Sequence, residues 1–183
     1  MNIIIGVTGH PASGKDTVGD YLVSKGYTKI TMSDILREEM TKLGILTDRS
    51  HIHQYATEMR KKYGNGFLCE KAIKRIKGNT IISGIRNNEE LKTFREKLGT
   101  DFKLISVTAP IEVRYKWAKE RGRIGDDISF ERFKLEEDQE KKTDSGSYDV
   151  DYVISQADFS IINNSTKEEL FTNIDRFISS LAT

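Results

Sequence analysis

The sequence predicts an α/β fold of three layers, a doubly wound parallel sheet with helices on both faces. Three observations predict it. The runs "NIIIGVT", "NTIISGI" and "FKLISVT" are apolar without alternation, which is the pattern of strands buried on both faces. Each is followed by a stretch with helical spacing, and strands that alternate with helices require parallel βαβ crossovers. The first junction is a loop bracketed by Gly9 and Gly14 that opens directly into a helix.

Taken in order, "NIIIGVT" is the first strand and "KDTVGDYLVSKG" the first helix, with Val18, Tyr21, Leu22 and Lys25 on one face. "YTKITM" is a second strand, and "SDILREEMTKLG" a helix with Ser33 as its expected N-cap. Two helical stretches lie between Ser50 and Lys77. The strand "NTIISGI", the helix "NEELKTFREKL" and the strand "FKLISVT" follow. Pro110 stands where proline opens a helix, and that helix runs "IEVRYKWAKER". A charged helix near "SFERFKLEEDQEKK", a strand "DFSIIN" and a last helix complete the chain. The last helix is opened by a capping box of Thr166 and Glu169. The glycine- and aspartate-rich "RGRIGDD" and "TDSGSYD" are expected to be loops.

At 183 residues with 37% hydrophobic residues, the chain suits one sizeable core, so a single domain over 1–183 is expected. It has 29 basic and 28 acidic residues, a net charge of +1, which argues against a nucleic-acid or membrane partner. The lone Cys69 cannot form an internal disulfide and is expected to be a half-buried packing residue. The N-terminus has no charged leader, and its apolar run is too short to span a bilayer. The default expectation is a cytoplasmic monomer.

The pattern "GHPASGK" has the spacing of a phosphate-binding loop, and it lies between a buried strand and a helix, as such a loop must. Backbone N–H groups from Ala12 through Ser13, Gly14, Lys15 and Asp16 to Thr17 can converge on an anion. The helix N-terminus adds roughly half a positive charge there. Gly9 and Gly14 let the backbone bend, and Lys15 supplies a full charge to phosphates. Asp16 occupies the position of the usual Ser or Thr. A carboxylate beside phosphate is repelled unless Mg²⁺ lies between them, so Asp16 and Thr17 are the candidate metal ligands.

"GHPASGKDT", "SDILREE", "IISGIRNNEE", "RYKWAKERGR" and "ADFSIINN" together resemble the P-loop nucleotide kinases, the group of adenylate kinase, dephospho-CoA kinase and deoxynucleoside monophosphate kinase. The resemblance runs from Ile3 to about Ile178. It implies a nucleotide-kinase fold with a helical acceptor-binding region near 33–77 and a short lid near 121–127. It also implies ATP as phosphoryl donor, Mg²⁺ as cofactor and small nucleotides as partners. Asp34 and Arg37 then match the "GDxLR" segment, and Arg86 matches the arginine after the central strand. Both arginines grip the acceptor's phosphate in that family. Arg121 and Arg123 match lid arginines that reach the moving phosphoryl group. Ser83 stands where many relatives have an aspartate near Mg²⁺, and Asp16 supplies the negative charge instead. Glu137 and Gln139, around Asp138, stand where relatives tend to place arginines.

Nucleoside or deoxynucleoside monophosphate is the implied acceptor. Dephospho-CoA is the alternative, carried by "ADFSIINNSTKEEL", with Asp34 as the base for a ribose hydroxyl. An ATP-dependent switch with slow hydrolysis is the alternative outside metabolism. His51 and His53 lack a third ligand nearby for zinc. Tyr55, Met59, Tyr63 and Phe67 recur at helical spacing as core candidates.

Overall fold

The computed structural model describes residues 2–122, 126–141 and 148–181, with backbone alone at 49–50 and 139–141. Arg123 lies outside the described residues, as does the side chain of Gln139. The strands are β1 (Ile4–Thr8), β2 (Thr28–Thr31), β3 (Thr80–Ser83), β4 (Phe102–Thr108) and β5 (Phe159–Ile162). They form one sheet in the order β2-β3-β1-β4-β5, parallel at every pairing.

The helices are α1 (Lys15–Ser24), α2 (Met32–Lys42), α3 (Arg49–Tyr63), α4 (Phe67–Ile73), α5 (Asn88–Leu98), α6 (Ile111–Arg121), α7 (Phe130–Lys141), α8 (Val150–Ser155) and α9 (Lys167–Leu181). Successive strand residues face opposite ways, so the strands build two cores. Ile4, Ile82 and Leu104 pack with α2, α4, α5 and α8 on one face. Ile5, Ile81 and Ile105 pack with α1 and α9 on the other. On that second face Tyr21 of α1 stacks on Phe171 of α9 with centroids 4.0 Å apart. Fully buried Leu22 is the kind of residue whose truncation to alanine costs about 2–5 kcal/mol.

Because every strand runs the same way, all five carboxyl ends lie at one edge. The chain leaves β1 toward β2 and β3, then crosses β1 to reach β4. The loop after β1 therefore sits where the winding reverses, the place where open α/β sheets bind ligands.

Several local expectations change. Ser33 lies inside the first turn of α2, whose N-cap is Thr31, because β2 runs into the helix without a turn. Pro110 is the N-cap of α6 rather than its first residue. The capping box of α9 is half made: Thr166 Oγ1 accepts from Glu169 N at 3.3 Å, while the Glu169 carboxylate takes the Ser165 hydroxyl. Helix α8 is additional. It is six residues long, with Asp149 capping Tyr152 N at 3.1 Å, and is too short for a periodic signal. Cys69 is completely buried rather than half-buried, and burial pushes its thiol pKa well up, away from thiolate chemistry. Tyr55 and Phe67 pack against the core, whereas Tyr63 is exposed.

Candidate active site

The glycine loop is bent by three left-handed residues: Gly9 at φ 146°, Ala12 at φ 57° and Gly14 at φ 102°. A Cβ at Gly9 would stand 2.1 Å from the Val107 carbonyl oxygen, and at Gly14 2.3 Å from Asn163 Nδ2. Neither position accepts a side chain without moving β4 or the chain after β5. Asn163 pins the loop from outside. Its Nδ2 donates to Ser13 O at 3.0 Å, and its backbone N donates to Thr108 O at 2.7 Å. Ser13 Oγ is buried with no hydrogen-bond partner among the described residues. Lys15 Nζ folds onto its own loop, donating to Gly9 O at 2.8 Å and His10 O at 2.6 Å. Asp16 and Thr17 follow in the first turn of α1, half-buried, where N–H groups lack partners within the helix.

A buried ion pair holds the loop's other flank. Arg114 of α6 donates from Nε to Ala109 O at 2.8 Å and from Nη1 to Pro11 O at 3.3 Å. Its fork also meets the carboxylate of Glu137 on α7. Glu137, whose position the resemblance associates with arginine, is thus the partner of a buried guanidinium and is only 5% exposed. His10 Nε2 lies 2.9 Å from Asp151 Oδ1 on α8.

The acceptor candidates fall into two groups. Asp34 and Arg37 pair on α2, with Arg37 Nη1 donating to Asp34 Oδ1 at 2.7 Å and to Ser33 Oγ at 3.1 Å. Arg86 follows β3 at the carboxyl edge, its backbone N donating to Glu90 Oε2 at 2.8 Å. Its guanidinium lies 5.7 Å from the Tyr148 ring centroid, and Arg60 of α3 lies 4.6 Å from the same centroid. Arg60 did not emerge from the sequence. It is 6% exposed, 3.6 Å from Glu90 Oε1, and its Nε and Nη1 find no partner among the described residues. One signal was available: Arg60 falls four residues after buried Ala56, so it breaks the apolar face of α3.

Burial holds the Glu90 carboxyl above its ordinary value, against the pull of Arg60 and Arg86. A raised acid contributes stability that is fully present below its unfolded pKa and lost as pH rises through the folded one. Glu90→Gln cannot ionise. Urea unfolding should therefore show the wild type losing stability relative to this variant as pH climbs above 4.5. Parallel curves would mean an ordinary carboxyl.

Near the expected lid, Arg121 is bidentate to Asp126 at 2.9 and 2.8 Å. Lys119 pairs with Asp127 at 2.6 Å. Ser83 ends β3, buried, in register with Val7 and Thr31.

Residues 5–147 match the AAA domain family. A UPF0200 protein of Methanosarcina mazei is 33% identical over 172 residues, covering 92% of this chain and 89% of that one. A UPF0200/UPF0201 protein of Archaeoglobus fulgidus is 29% identical over 185 residues. That match takes 98% of this chain and 56% of the archaeal protein. Among solved structures, shikimate kinase from Bacteroides thetaiotaomicron superposes with a TM-score of 0.63 at 13% identity, with both chains fully covered. At that identity the likeness is one of fold. The chain belongs to the UPF0200 family, its residues 5–147 match the AAA domain model, and it has a P-loop kinase-like fold.

Proposed function

We propose that the chain is an ATP-dependent nucleotide kinase that phosphorylates a nucleoside or deoxynucleoside monophosphate. The observation that carries this reading is the placement of two kinds of anion-binding group at one sheet edge. These are a glycine loop with its lysine and, after β3, Arg86 beside Arg60, whose Nε and Nη1 find no partner among the described residues. In this reading the loop amides from Ala12 to Thr17 hold the ATP phosphates, and Lys15 exchanges its carbonyl contacts for phosphate oxygens. The half-buried oxygens of Asp16 and Thr17 beside Lys15 suit a hard cation, and would hold Mg²⁺. That ion supplies neutralisation of the charge on the transferred group. Arg86 and Arg60, with Asp34 and Arg37, orient the acceptor phosphate, and Arg121 and Arg123 approach the moving phosphoryl group. An acceptor phosphate is already nucleophilic, so positioning and charge carry the rate.

The motif shared with dephospho-CoA kinases has a scaffold contact here, because its Asn163 holds the loop at Ser13 O. That contact needs no particular acceptor, so it supports neither one over the other. Incubating the purified chain with Mg²⁺·ATP and AMP, CMP, the deoxynucleoside monophosphates or dephospho-CoA, and resolving the phosphorylated product, tests the reading. Transfer to dephospho-CoA alone would replace the acceptor. Slow hydrolysis stimulated by no acceptor would favour the switch.

Asp16 gives a test of the metal reading. Asp16→Ala should raise the Mg²⁺ concentration needed for transfer by about 10-fold and improve binding of metal-free ATP. At ~4 Å and an effective dielectric near 20, the repulsion removed is on the order of 4 kcal/mol before screening. Calorimetric titration of ATP with and without Mg²⁺ measures both effects. Equal weakening of both forms would give the carboxylate a structural task.

A further inference from the structure

The phosphate loop and the arginine cluster share one short segment, residues 148–151. Tyr148 carries Arg60 and Arg86 against its ring at 4.6 and 5.7 Å, and stacks on His53 with centroids 5.4 Å apart. The next residue, Asp149, donates its backbone N–H to Arg86 O at 2.8 Å while capping α8. Two residues further, Asp151 Oδ1 meets His10 Nε2 of the phosphate loop at 2.9 Å. Val150 is buried, and Val153 of the following turn packs into the core. Four consecutive residues thus touch the loop at one end, and α3 and the β3–α5 turn at the other.

We propose that Asp151 is a positioning residue that joins the nucleotide loop to the Arg60–Arg86–Tyr148 cluster, so that filling the loop orders the acceptor side. It acts through His10. The proposal rests on nucleotide binding by the loop. A ligand that orders the segment removes that ordering cost for the second ligand, and the coupling is reciprocal. The Asp151 side chain is 58% exposed against 14% for His10, so removing the carboxylate leaves the core intact.

Hydrogen exchange of the full chain with and without ADP, followed by mass spectrometry, tests the proposal in wild type, Asp151→Ala and Asp151→Asn. ADP should protect residues 9–18 in all three. In wild type and Asp151→Asn, which still accepts from the imidazole, it should also slow exchange at 85–91 and 148–155 by about 5-fold or more. In Asp151→Ala that distant protection should vanish while the loop stays protected. Distant protection that persists in Asp151→Ala, or is missing from wild type, overturns the proposal. Absence of protection at 9–18 in wild type would instead bring down nucleotide binding by the loop, and this proposal with it.

Discussion

Lys15→Ala is expected to lower phosphoryl transfer by about 10³-fold while the melting temperature moves by only about 4–8 °C. The two effects separate because of where the ammonium sits. Its contacts at 2.8 and 2.6 Å are to carbonyls of its own loop, not to the hydrophobic core. Losing them returns two loop carbonyls to water at a net cost of about 1 kcal/mol each. In transfer the same ammonium faces phosphate oxygens whose charge shifts as the bond breaks, and a preorganised charge there is worth about 3–4 kcal/mol. Single-turnover rates and a thermal scan of the variant measure both quantities. An unchanged rate would remove the loop from the mechanism. A collapsed fold would make Lys15 a scaffold residue.

What could be read from the sequence was whatever local pattern encodes. The unbroken apolar runs that became β1, β3 and β4 mark strands covered on both faces, and the glycine spacing marks the loop, because each signal sits within a few neighbouring residues. Boundaries moved where one element runs directly into the next, as at Thr31 and Met32. The contacts that join distant parts of the chain left no such trace. Arg114 and Glu137 stand 23 residues apart, and the face of α6 that carries Arg114 reads as charged and solvated until α7 covers it. Glu137 looked like a missing basic residue for the same reason: its role depends on a partner that no periodicity names. Helix α8 shows the opposite failure, since its cap is ordinary but six residues are too few to establish a repeat.

Arg60→Met is expected to raise the KM for the acceptor by about 10²-fold and to leave that for ATP within about 2-fold, since two charge-assisted hydrogen bonds are together worth about 3 kcal/mol. The side chain has the features such a contact needs: it is 4% exposed, it is held against Tyr148 at 4.6 Å, and its Nε and Nη1 have no hydrogen-bond partner among the described residues. Its pairing with Glu90 complicates the single variant. Removing one member of a buried pair leaves a buried charge, which destabilises by about 3–5 kcal/mol if the carboxyl stays ionised. Burial already pushes Glu90 toward its neutral form, so the loss should be smallest at low pH. Arg60→Met combined with Glu90→Gln removes both charges and should restore stability without restoring acceptor affinity. Arg60→Lys keeps the charge but not the planar fork, and should recover only part of the affinity. If the double variant regains the wild-type acceptor KM, Arg60 serves only to neutralise Glu90, and the acceptor phosphate is gripped elsewhere, with Arg37 the next guanidinium to test.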